Sequence, residues 1–303
     1  MLPSSIRITD VGPRDGLQNE KGVIETADKI EFINRLAASG VAEVEATSFV
    51  SPKWVPQLGD AAEVLAGITP VENVVYSALV PNMKGFERAA ECGVRKIAVF
   101  ASASESFAQK NTNGSVNEVI DRFIPVVEAA KKENMTVRGY ISCIVACPYE
   151  GEIDADDVTR VAERLLDIGI DEIDLGETIG VAAPKDIDIL YQQLSRVIPP
   201  KYTTLHLHDT RGSALACAFR AMQLGVRSFD SSCGGLGGCP YAPGASGNLA
   251  TEDLVYMCQR LGVETNVDLA KLFDAAGYIA ARLGRSLPGR VFAADGNSST
   301  CGT

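Results

Sequence analysis

Short apolar runs alternate with longer amphipathic segments along the chain, and this alternation recurs about eight times. Short apolar runs predict buried strands, whereas apolar residues at helical spacing predict helices that bury one face. The predicted strands are 6–11, 43–47, 74–79, 96–100, 137–143, 172–175, 203–208 and 228–232. The helices predicted between them are 26–39, 83–92, 115–133, 155–169, 184–197 and 214–225.

Several predicted helices end at a glycine, which readily adopts the left-handed conformation that stops a helix. Gly40, Gly93, Gly169 and Gly225 occupy such positions, and each is followed by a short run into the next strand. Repeated β/α units of this kind favour an α/β fold of the closed TIM (β/α)8 barrel type. An open doubly wound sheet is the alternative.

The pattern predicts a single TIM-barrel domain over residues 1–303, because no linker or shift in composition divides the chain. Its parts are a barrel at about 6–235, a glycine-rich loop at 234–247, and additional C-terminal helices at about 249–285, followed by a small polar tail at 286–303. We expect the tail to be poorly ordered. With 46% hydrophobic residues, the chain can bury one large core.

The formal net charge of −11 argues against nucleic acid or an anionic membrane surface as the main partner. The sequence contains no apolar run of about 18 residues, the length a membrane-spanning helix requires. It also begins without a basic and apolar signal segment, so we expect a cytoplasmic location. The eight cysteines form no C-x-x-C pair, which favours reduced thiols over a disulfide framework.

The chain contains only two histidines, His206 and His208, and both lie in the predicted strand 203–208. Residues i and i+2 of a strand point to the same face, so the two imidazoles should project together while Leu205 and Leu207 point the other way. Neutral imidazole is a common metal ligand. A pair of structural histidines on a half-exposed strand is the alternative interpretation.

Asp15 follows the first predicted strand, and the carboxyl ends of barrel strands carry the chemistry of TIM barrels. Asp15, His206 and His208 should therefore meet at one barrel mouth. Two imidazoles and a carboxylate suit Mg²⁺, Mn²⁺ or a similar divalent ion. Asn248 offers a further carbonyl oxygen, although its spacing alone fits a helix N-cap better.

Arg14, beside Asp15, places a cation where it can bind a carbonyl oxygen that becomes an enolate, unless it serves only to pair with Glu45. Cys239 lies in the glycine-rich loop, where a thiol can exchange a proton with a carbanion, although a loop cysteine is more often inert. The sequence has no Gly-x-Ser-x-Gly elbow and no third histidine, which counts against a hydrolase.

Five longer strings resemble the hydroxymethylglutaryl-CoA lyases, which belong to the DRE-TIM metallolyases. They are DVGPRDGLQNE at 10–20, EATSFVSPKWVPQ at 45–57, CPYEG at 147–151, GLGGCPYA at 235–242 and GASGNLATEDL at 244–254. The resemblance covers about residues 6–285 and places the family's Asp, Arg and Glu on Asp15, Arg14 and Glu45.

The resemblance implies a lyase that cleaves 3-hydroxy-3-methylglutaryl-CoA to acetyl-CoA and acetoacetate, a step of leucine degradation and ketone-body formation. It also implies a bound Mg²⁺ or Mn²⁺, an acyl-CoA substrate and a homo-oligomer. The implied metal ligands are Asp15, His206, His208 and Asn248. The implied catalytic residues are Arg14, Asp15, Glu45, Glu177, His206 and Cys239, with Cys239 on a mobile catalytic loop.

By the same resemblance, Arg14, Gln18 and Arg211 are expected to bind substrate, with Gln18 and Glu45 supporting the site. The group that accepts the hydroxyl proton stays open among His206, Asp15 and Glu177. Three other readings also stay open. They are a sibling lyase for another 3-hydroxyacyl-CoA, a condensing acyltransferase of the same superfamily, and a non-catalytic metal-binding barrel.

The chain departs from the family pattern at two positions near the predicted mouth. Glu177 stands where the family usually has Asp, and Arg211 stands where it usually has Tyr. We expect Arg211 at the rim of the mouth, where it can attract a carboxylate or pair with Glu177. Pairing would let the two departures compensate, and this is the arrangement we favour.

Overall fold

The structure of the protein is a computed structural model that describes residues 1–18, 20, 22–237 and 247–296. Eight parallel strands close into a barrel, which confirms the predicted fold class. In chain order they are β1 (Arg7–Asp10), β2 (Glu43–Ser48), β3 (Val75–Leu79), β4 (Lys96–Ser102), β5 (Thr136–Ser142), β8 (Glu172–Glu177), β9 (Thr203–Leu207) and β10 (Ser228–Ser231). The short strands β6 (Ala146–Cys147) and β7 (Gly151–Glu152) pair antiparallel outside the barrel.

The helices packed around the barrel follow the predicted order. They are α1 (Thr26–Ala38), α2 (Ala61–Gly67), α3 (Met83–Glu91), α4 (Glu105–Thr112), α5 (Val116–Lys132), α6 (Ala155–Asp167), α7 (Pro184–Leu194), α8 (Ala214–Leu224), α9 (Thr251–Leu261), α10 (Leu269–Leu283) and α11 (Arg290–Asp295). The sequence pattern did not predict α2 and α4, because each spans only about two turns, too few for a clear apolar periodicity. In the described part of the chain, no helix has the length and apolar character needed to cross a membrane.

The expectation of a poorly ordered tail was wrong for residues 287–295. Leu287 is buried, and the backbone N–H of Gly289 donates to the Gly234 carbonyl over 2.9 Å. The backbone amides of Arg290 and Val291 donate to the carboxylate of Asp253 at the start of α11. These contacts satisfy free N–H groups at a helix N-terminus, so this part of the tail is held against the root of the glycine-rich loop.

A buried ionic cluster fills the barrel interior below its carboxyl-terminal mouth. Arg138, which is 3% exposed, donates to Glu43 over 3.2 Å and to Asp230 over 3.1 Å. Lys96 donates to the other side of this cluster, at Glu43, over 2.7 Å. Removing one partner from such a buried cluster typically costs about 3–5 kcal/mol, because it leaves an uncompensated charge. The cluster therefore gives the residues above it a rigid support.

Candidate active site

The two histidines meet at the carboxyl-terminal mouth of the barrel, as the alternating pattern predicted. Their ring centroids lie 5.4 Å apart, whereas Leu205 and Leu207 are 0% and 2% exposed in the surrounding core. His206 is the penultimate residue of β9, and His208 follows the strand and bridges to Asn248. The strand therefore aims both imidazoles into one space.

Asp15 reaches the same space from a tight turn of π-helix, Gly12–Gly16, that follows β1. A Cβ atom at Gly12 would lie 2.8 Å from the Asp10 carboxylate, and one at Gly16 would lie 2.9 Å from the Leu236 side chain. Glycine thus lets the turn pack closely against its neighbours. Oδ1 of Asp15 accepts hydrogen bonds from Arg14 over 2.7 Å and from Gln18 over 2.8 Å.

Asn248 is not a helix N-cap, so the interpretation favoured by its spacing was wrong. Helix α9 begins at Thr251, and its N-cap residue is Ala250. The side-chain N–H of Asn248 instead donates to Oδ2 of Asp15 over 2.9 Å and to the Leu236 carbonyl over 3.0 Å. This arrangement leaves Oδ1 of Asn248 facing the cluster formed by Asp15 and the histidines.

The residues present fit a divalent metal ion. Asp15, His206 and His208 each offer a ligand atom, and these atoms lie within 4.8 Å of one another. Oδ1 of Asn248 and Nδ1 of His208 are buried, and neither has a hydrogen-bond partner among the described residues. Buried polar atoms are normally satisfied, so these two atoms, in a set of two nitrogen and two oxygen donors, fit a divalent ion.

The electrostatics of the three clustered residues keep Asp15 anionic. Burial would raise the pKa of Asp15, but Arg14 and the two histidines lower it to about 2. Burial and the neighbouring His206 lower the pKa of His208 to about 4. Burial also opposes the charged form of His206, yet hydrogen bonding to Asp230 raises its pKa to about 9. Asp15 as a carboxylate and His208 as a neutral imidazole are in the forms that bind metal, and His206 would release a proton on binding an ion.

Arg14 combines the two roles that the sequence left open. Its Nε donates to Glu45 over 2.6 Å and its Nη1 donates to Asp15, so two carboxylates hold the guanidinium. The guanidinium also lies over the ring of Tyr140, 5.5 Å from the ring centroid, and lines the cavity at the mouth. No hydrogen bond to a described residue engages its Nη2, which leaves this nitrogen for a bound molecule.

A cavity of about 1040 Å³ opens above Arg14, Asp15 and the histidines. Its walls are mainly apolar and include Phe100, Phe107, Val119, Phe123 and Tyr140. Lys110 and Arg122 also line it, on exposed surface at its outer part. The sequence pattern did not single out any of these residues, because strands β4 and β5 and helices α4 and α5 bring them to the mouth through tertiary packing. The one signal in the sequence that pointed to this cavity was Lys110, a cation three residues after the aromatic Phe107.

Glu177 and Arg211 do not pair with each other, so the predicted salt bridge was wrong. Glu177 is 1% exposed and accepts a hydrogen bond from the backbone N–H of Val181 over 3.1 Å. Burial raises its pKa, and backbone N–H groups of residues 179–182 partly offset this. Arg211 donates to the carbonyls of Ile179 and Gly180 over 3.0 and 3.2 Å. The two side chains therefore hold the same loop without touching.

Seven of the predicted site residues come together at the mouth. They are Arg14, Asp15, Gln18, Glu45, His206, His208 and Asn248. Glu177, the last residue of β8, and Arg211, which follows β9, lie beside it and contact the 179–182 loop. Cys239 lies outside the described residues. Asp230 and Tyr140 were missed, although each contacts His206 or Arg14.

A family model described as HMGL-like matches residues 5–279. A Pseudomonas aeruginosa protein named 3-hydroxy-3-isohexenylglutaryl-CoA/hydroxy-methylglutaryl-CoA lyase is 49% identical over 285 residues, which span 94% of this chain and 95% of that protein. The crystal structure of hydroxymethylglutaryl-CoA lyase from Pseudomonas aeruginosa superposes with a TM-score of 0.95 at 48% identity, covering 97% of this chain and 98% of that one.

A further solved structure is an HMG-CoA lyase from A. baumannii in complex with coenzyme A and 3-methylmalate. It superposes with a TM-score of 0.91 at 38% identity and covers 96% of this chain and 95% of that one. The family model and the relatives each extend across nearly the whole barrel, including the strand ends that carry Asp15 and the histidines. This chain therefore belongs to the HMGL-like family of carbon–carbon lyases.

Proposed function

We propose that the protein cleaves 3-hydroxy-3-methylglutaryl-CoA to acetyl-CoA and acetoacetate with the help of a bound Mg²⁺ or Mn²⁺. The observation that carries the proposal is the cluster of Asp15, His206, His208 and Asn248 beside Arg14 at the floor of one large cavity. The names of the relatives, and the complex of one of them with coenzyme A, support the substrate class.

The ion would be held by four residues, Asp15, His206, His208 and Asn248. When bound, a divalent ion supplies a Lewis acid that makes an adjacent hydroxyl easier to deprotonate. Asp15, with a pKa of about 2, is a poor proton acceptor and suits the role of a permanent ligand. The side chains of Arg14, Gln18 and Asn248 all donate to its carboxylate and fix its direction.

Arg14 stabilises the charge that develops during cleavage. As the C2–C3 bond of the substrate breaks, its electron pair moves into the thioester as an enolate. The C3 hydroxyl passes its proton to a basic side chain at the mouth, and its oxygen becomes that of a ketone. The free Nη2 of Arg14 can donate to the enolate oxygen, while Glu45 and Asp15 keep the guanidinium in place. Preorganised donors of this kind avoid reorganisation at the moment of reaction.

A proton must then reach C2 to complete acetyl-CoA. We assign this step to Cys239 on the strength of the sequence resemblance alone.

The acyl-CoA chain enters through the outer cavity, where the exposed cations of Lys110 and Arg122 suit the phosphates of coenzyme A. We also propose a homo-oligomer in the cytoplasm, and treat residues 1–303 as one catalytic domain.

A second candidate activity is the cleavage of 3-hydroxyglutaryl-CoA thioesters that carry a larger apolar group at C3. The apolar wall formed by Phe100, Phe123 and Tyr140 supports it, because this wall continues the floor of the cavity. The Pseudomonas relative's name includes an isohexenyl substrate, which is such a thioester. The activity on thioesters with a methyl group at C3 can therefore be compared with the activity on those with a larger group in one experiment.

The test is a steady-state assay of protein stripped of metal by a chelator and then supplied with Mg²⁺, Mn²⁺ or neither. We expect acetoacetate and acetyl-CoA in equal amounts with either ion, and loss of turnover without one. A panel of C3-substituted thioesters measures specificity as the ratio of kcat/KM values. Full activity in protein shown to be metal-free would contradict the metal role, and turnover of none of the thioesters would contradict the lyase.

A further inference from the structure

His206 lies between two carboxylates that face its two ring nitrogens. Nε2 lies 4.0 Å from Oδ2 of Asp15, across the space where the ion would bind. Nδ1 lies 3.2 Å from Oδ2 of Asp230, on the opposite side of the ring. An imidazole that binds metal through one nitrogen normally donates its other N–H to a carboxylate, a carbonyl or water.

Asp230 is held in place by groups other than His206. It lies on β10, in register with His206 on the neighbouring β9, so both side chains point into the barrel at the same level. Oδ1 accepts a hydrogen bond from Arg138 over 3.1 Å, and Oδ2 accepts one from the Tyr140 hydroxyl over 3.3 Å. Asp230 itself is 1% exposed. The carboxylate is therefore fixed independently of the imidazole.

We propose that Asp230 is a positioning residue, which keeps the proton of His206 on Nδ1 and aims Nε2 at Asp15 and the bound ion. The inference rests on the proposed metal role of His206, but not on the identity of the thioester. Without Asp230, the ring could rotate, or its proton could move to Nε2 and occupy the lone pair that the ion needs. Asp230 touches neither the ion nor the substrate.

Arg138 and His206 favour the charged form of Asp230 in its buried position, where a second carboxyl lies beside it. Asp174 is buried as well and lies near Arg138, with 3.4 Å between its Oδ2 and Nη1 of Arg138. Burial and the Asp230 carboxylate raise the pKa of Asp174 well above its usual range. Burial also acts on Asp230, but Arg138 and His206 outweigh it and lower that pKa. Asp174 is thus a second buried carboxyl beside the Asp230–Arg138 pair.

Asp174 offers a matched control because it is a buried aspartate of the same cluster that makes no hydrogen bond to His206 among the described contacts. Asp230→Asn and Asp174→Asn change the same atoms at neighbouring positions. We expect Asp230→Asn to weaken binding of Mn²⁺ by about 10–100-fold, which is the usual cost of losing a carboxylate behind a ligating histidine. We expect Asp174→Asn to change it less than about threefold, since the Asp174 carboxyl makes no described hydrogen bond to a residue that would hold the ion.

The experiment measures Mn²⁺ binding to the full-length protein by electron paramagnetic resonance, without substrate. A melting temperature recorded for each variant separates a positioning effect from loss of the fold. Equal Mn²⁺ affinity in wild type and Asp230→Asn would overturn the inference while leaving the metal site intact. Absence of Mn²⁺ binding to the wild type would overturn both the metal site and the role of Asp230.

A second measurement needs no substitution at Asp230. Because His206 and His208 are the only histidines, the ¹⁵N spectrum of histidine-labelled protein contains two imidazoles, which the His208→Gln variant distinguishes. With Mg²⁺ bound, His206 should carry its proton on Nδ1, with the downfield proton shift of a hydrogen bond to a carboxylate. A proton on Nε2 of His206 in that state would overturn the inference, whatever the stability of the Asp230 variant.

Discussion

The side-chain N–H of Asn248 donates to Oδ2 of Asp15 over 2.9 Å, although the two residues are 233 positions apart. The contact joins the turn after the first barrel strand to the segment that follows the glycine-rich loop. It also fixes which way the Asn248 amide faces, because its nitrogen is occupied by Asp15 and Leu236. Its oxygen is therefore the atom available to an ion.

Asn248→Ala tests this arrangement. It removes a ligand oxygen and the hydrogen bond to Asp15 together, so we expect the dissociation constant for Mn²⁺ to rise at least about tenfold, by analogy with other supporting contacts at metal sites. The matched control is Asn34→Ala, at an asparagine on helix α1 that accepts a hydrogen bond from the backbone N–H of Thr69. Unchanged Mn²⁺ affinity in Asn248→Ala would show that the amide only ties two loops together.

Arg14→Lys tests the enolate-binding role of the guanidinium. Lysine keeps the positive charge but lacks the planar donors that reach Glu45, Asp15 and the cavity together. Losing one donor to a developing oxyanion costs on the order of 10²–10³ in kcat, so we expect a loss of that size with a smaller change in KM. Steady-state kinetics of Arg14→Lys and wild type at saturating Mg²⁺ provide the measurement. A kcat within roughly tenfold of wild type would leave Arg14 with a structural role only.

Cys239→Ala tests the proton donor assigned by resemblance. Because general acid catalysis typically contributes about 10²–10⁴-fold, we expect kcat to fall by this amount while the melting temperature stays unchanged. Cys92→Ala is the control, at a partly buried thiol at the C-terminal end of helix α3. Alkylation should inactivate the wild type and leave Cys239→Ala with its residual rate. An alanine variant with the wild-type kcat would remove the thiol from the mechanism.

The buried carboxyl of Glu252 predicts how stability depends on pH. Burial raises its pKa to about 8, while the backbone N–H of Gly234 donates to both of its oxygens. A carboxyl whose pKa is raised by folding stabilises the folded state fully below its ordinary pKa, and loses this contribution as pH rises through the folded value. Between about pH 5 and 8, stability should therefore fall by up to about 1.4 kcal/mol per pH unit on account of Glu252.

Glu252→Gln removes this titration, so urea unfolding at pH 5.5 and 7.5 should show a shallower pH dependence for the variant than for wild type. The exposed Glu128→Gln serves as the control and should retain the wild-type slope. Asp10, whose pKa burial raises to about 7, titrates in the same window and leaves part of the slope in both proteins. The same slope in Glu252→Gln and wild type would show that this carboxyl is already ionised at pH 5.5.

Sequence periodicity was sufficient to predict the barrel and the meeting of Asp15 with the two histidines. Both follow from local rules, since strands end where the apolar run ends and alternate residues share a face. The role of Asp230 could not be predicted, because it depends on the register that places it opposite His206. Register between parallel strands is set by packing of the whole barrel, and single-sequence patterns do not contain it.

The predicted pairing of Glu177 with Arg211 failed for a different physical reason. The prediction rested on the opposite charges of the two side chains alone. Backbone N–H and carbonyl groups compete for the same side chains. The 179–182 loop offers N–H groups to Glu177 and carbonyls to Arg211, so each side chain is satisfied locally. A loop with unsatisfied backbone groups can thus outcompete a salt bridge across a rim.

The shared loop predicts that Glu177 and Arg211 are coupled in function although they do not touch. Gly180 of this loop packs so closely on Thr210 that a Cβ atom there would lie 2.5 Å from the threonine side chain. Thr210 is two residues beyond His208, so a displaced loop should disturb the metal site. Glu177→Asp shortens the side chain that caps the amides, and Arg211→Tyr releases two carbonyls. We therefore expect each change alone to lower kcat/KM and weaken Mn²⁺ binding.

A double-mutant cycle measures the coupling. Because both changes act on one loop, their combined effect on kcat/KM should depart from the sum of the single effects by about 0.5–3 kcal/mol. Glu177→Asp combined with Arg220→Tyr is the control, since Arg220 pairs with Asp188 on the helical surface. That control pair should be additive within about 0.5 kcal/mol. If Glu177→Asp and Arg211→Tyr are equally additive, the loop does not transmit their effects, and each departure from the family pattern acts on its own.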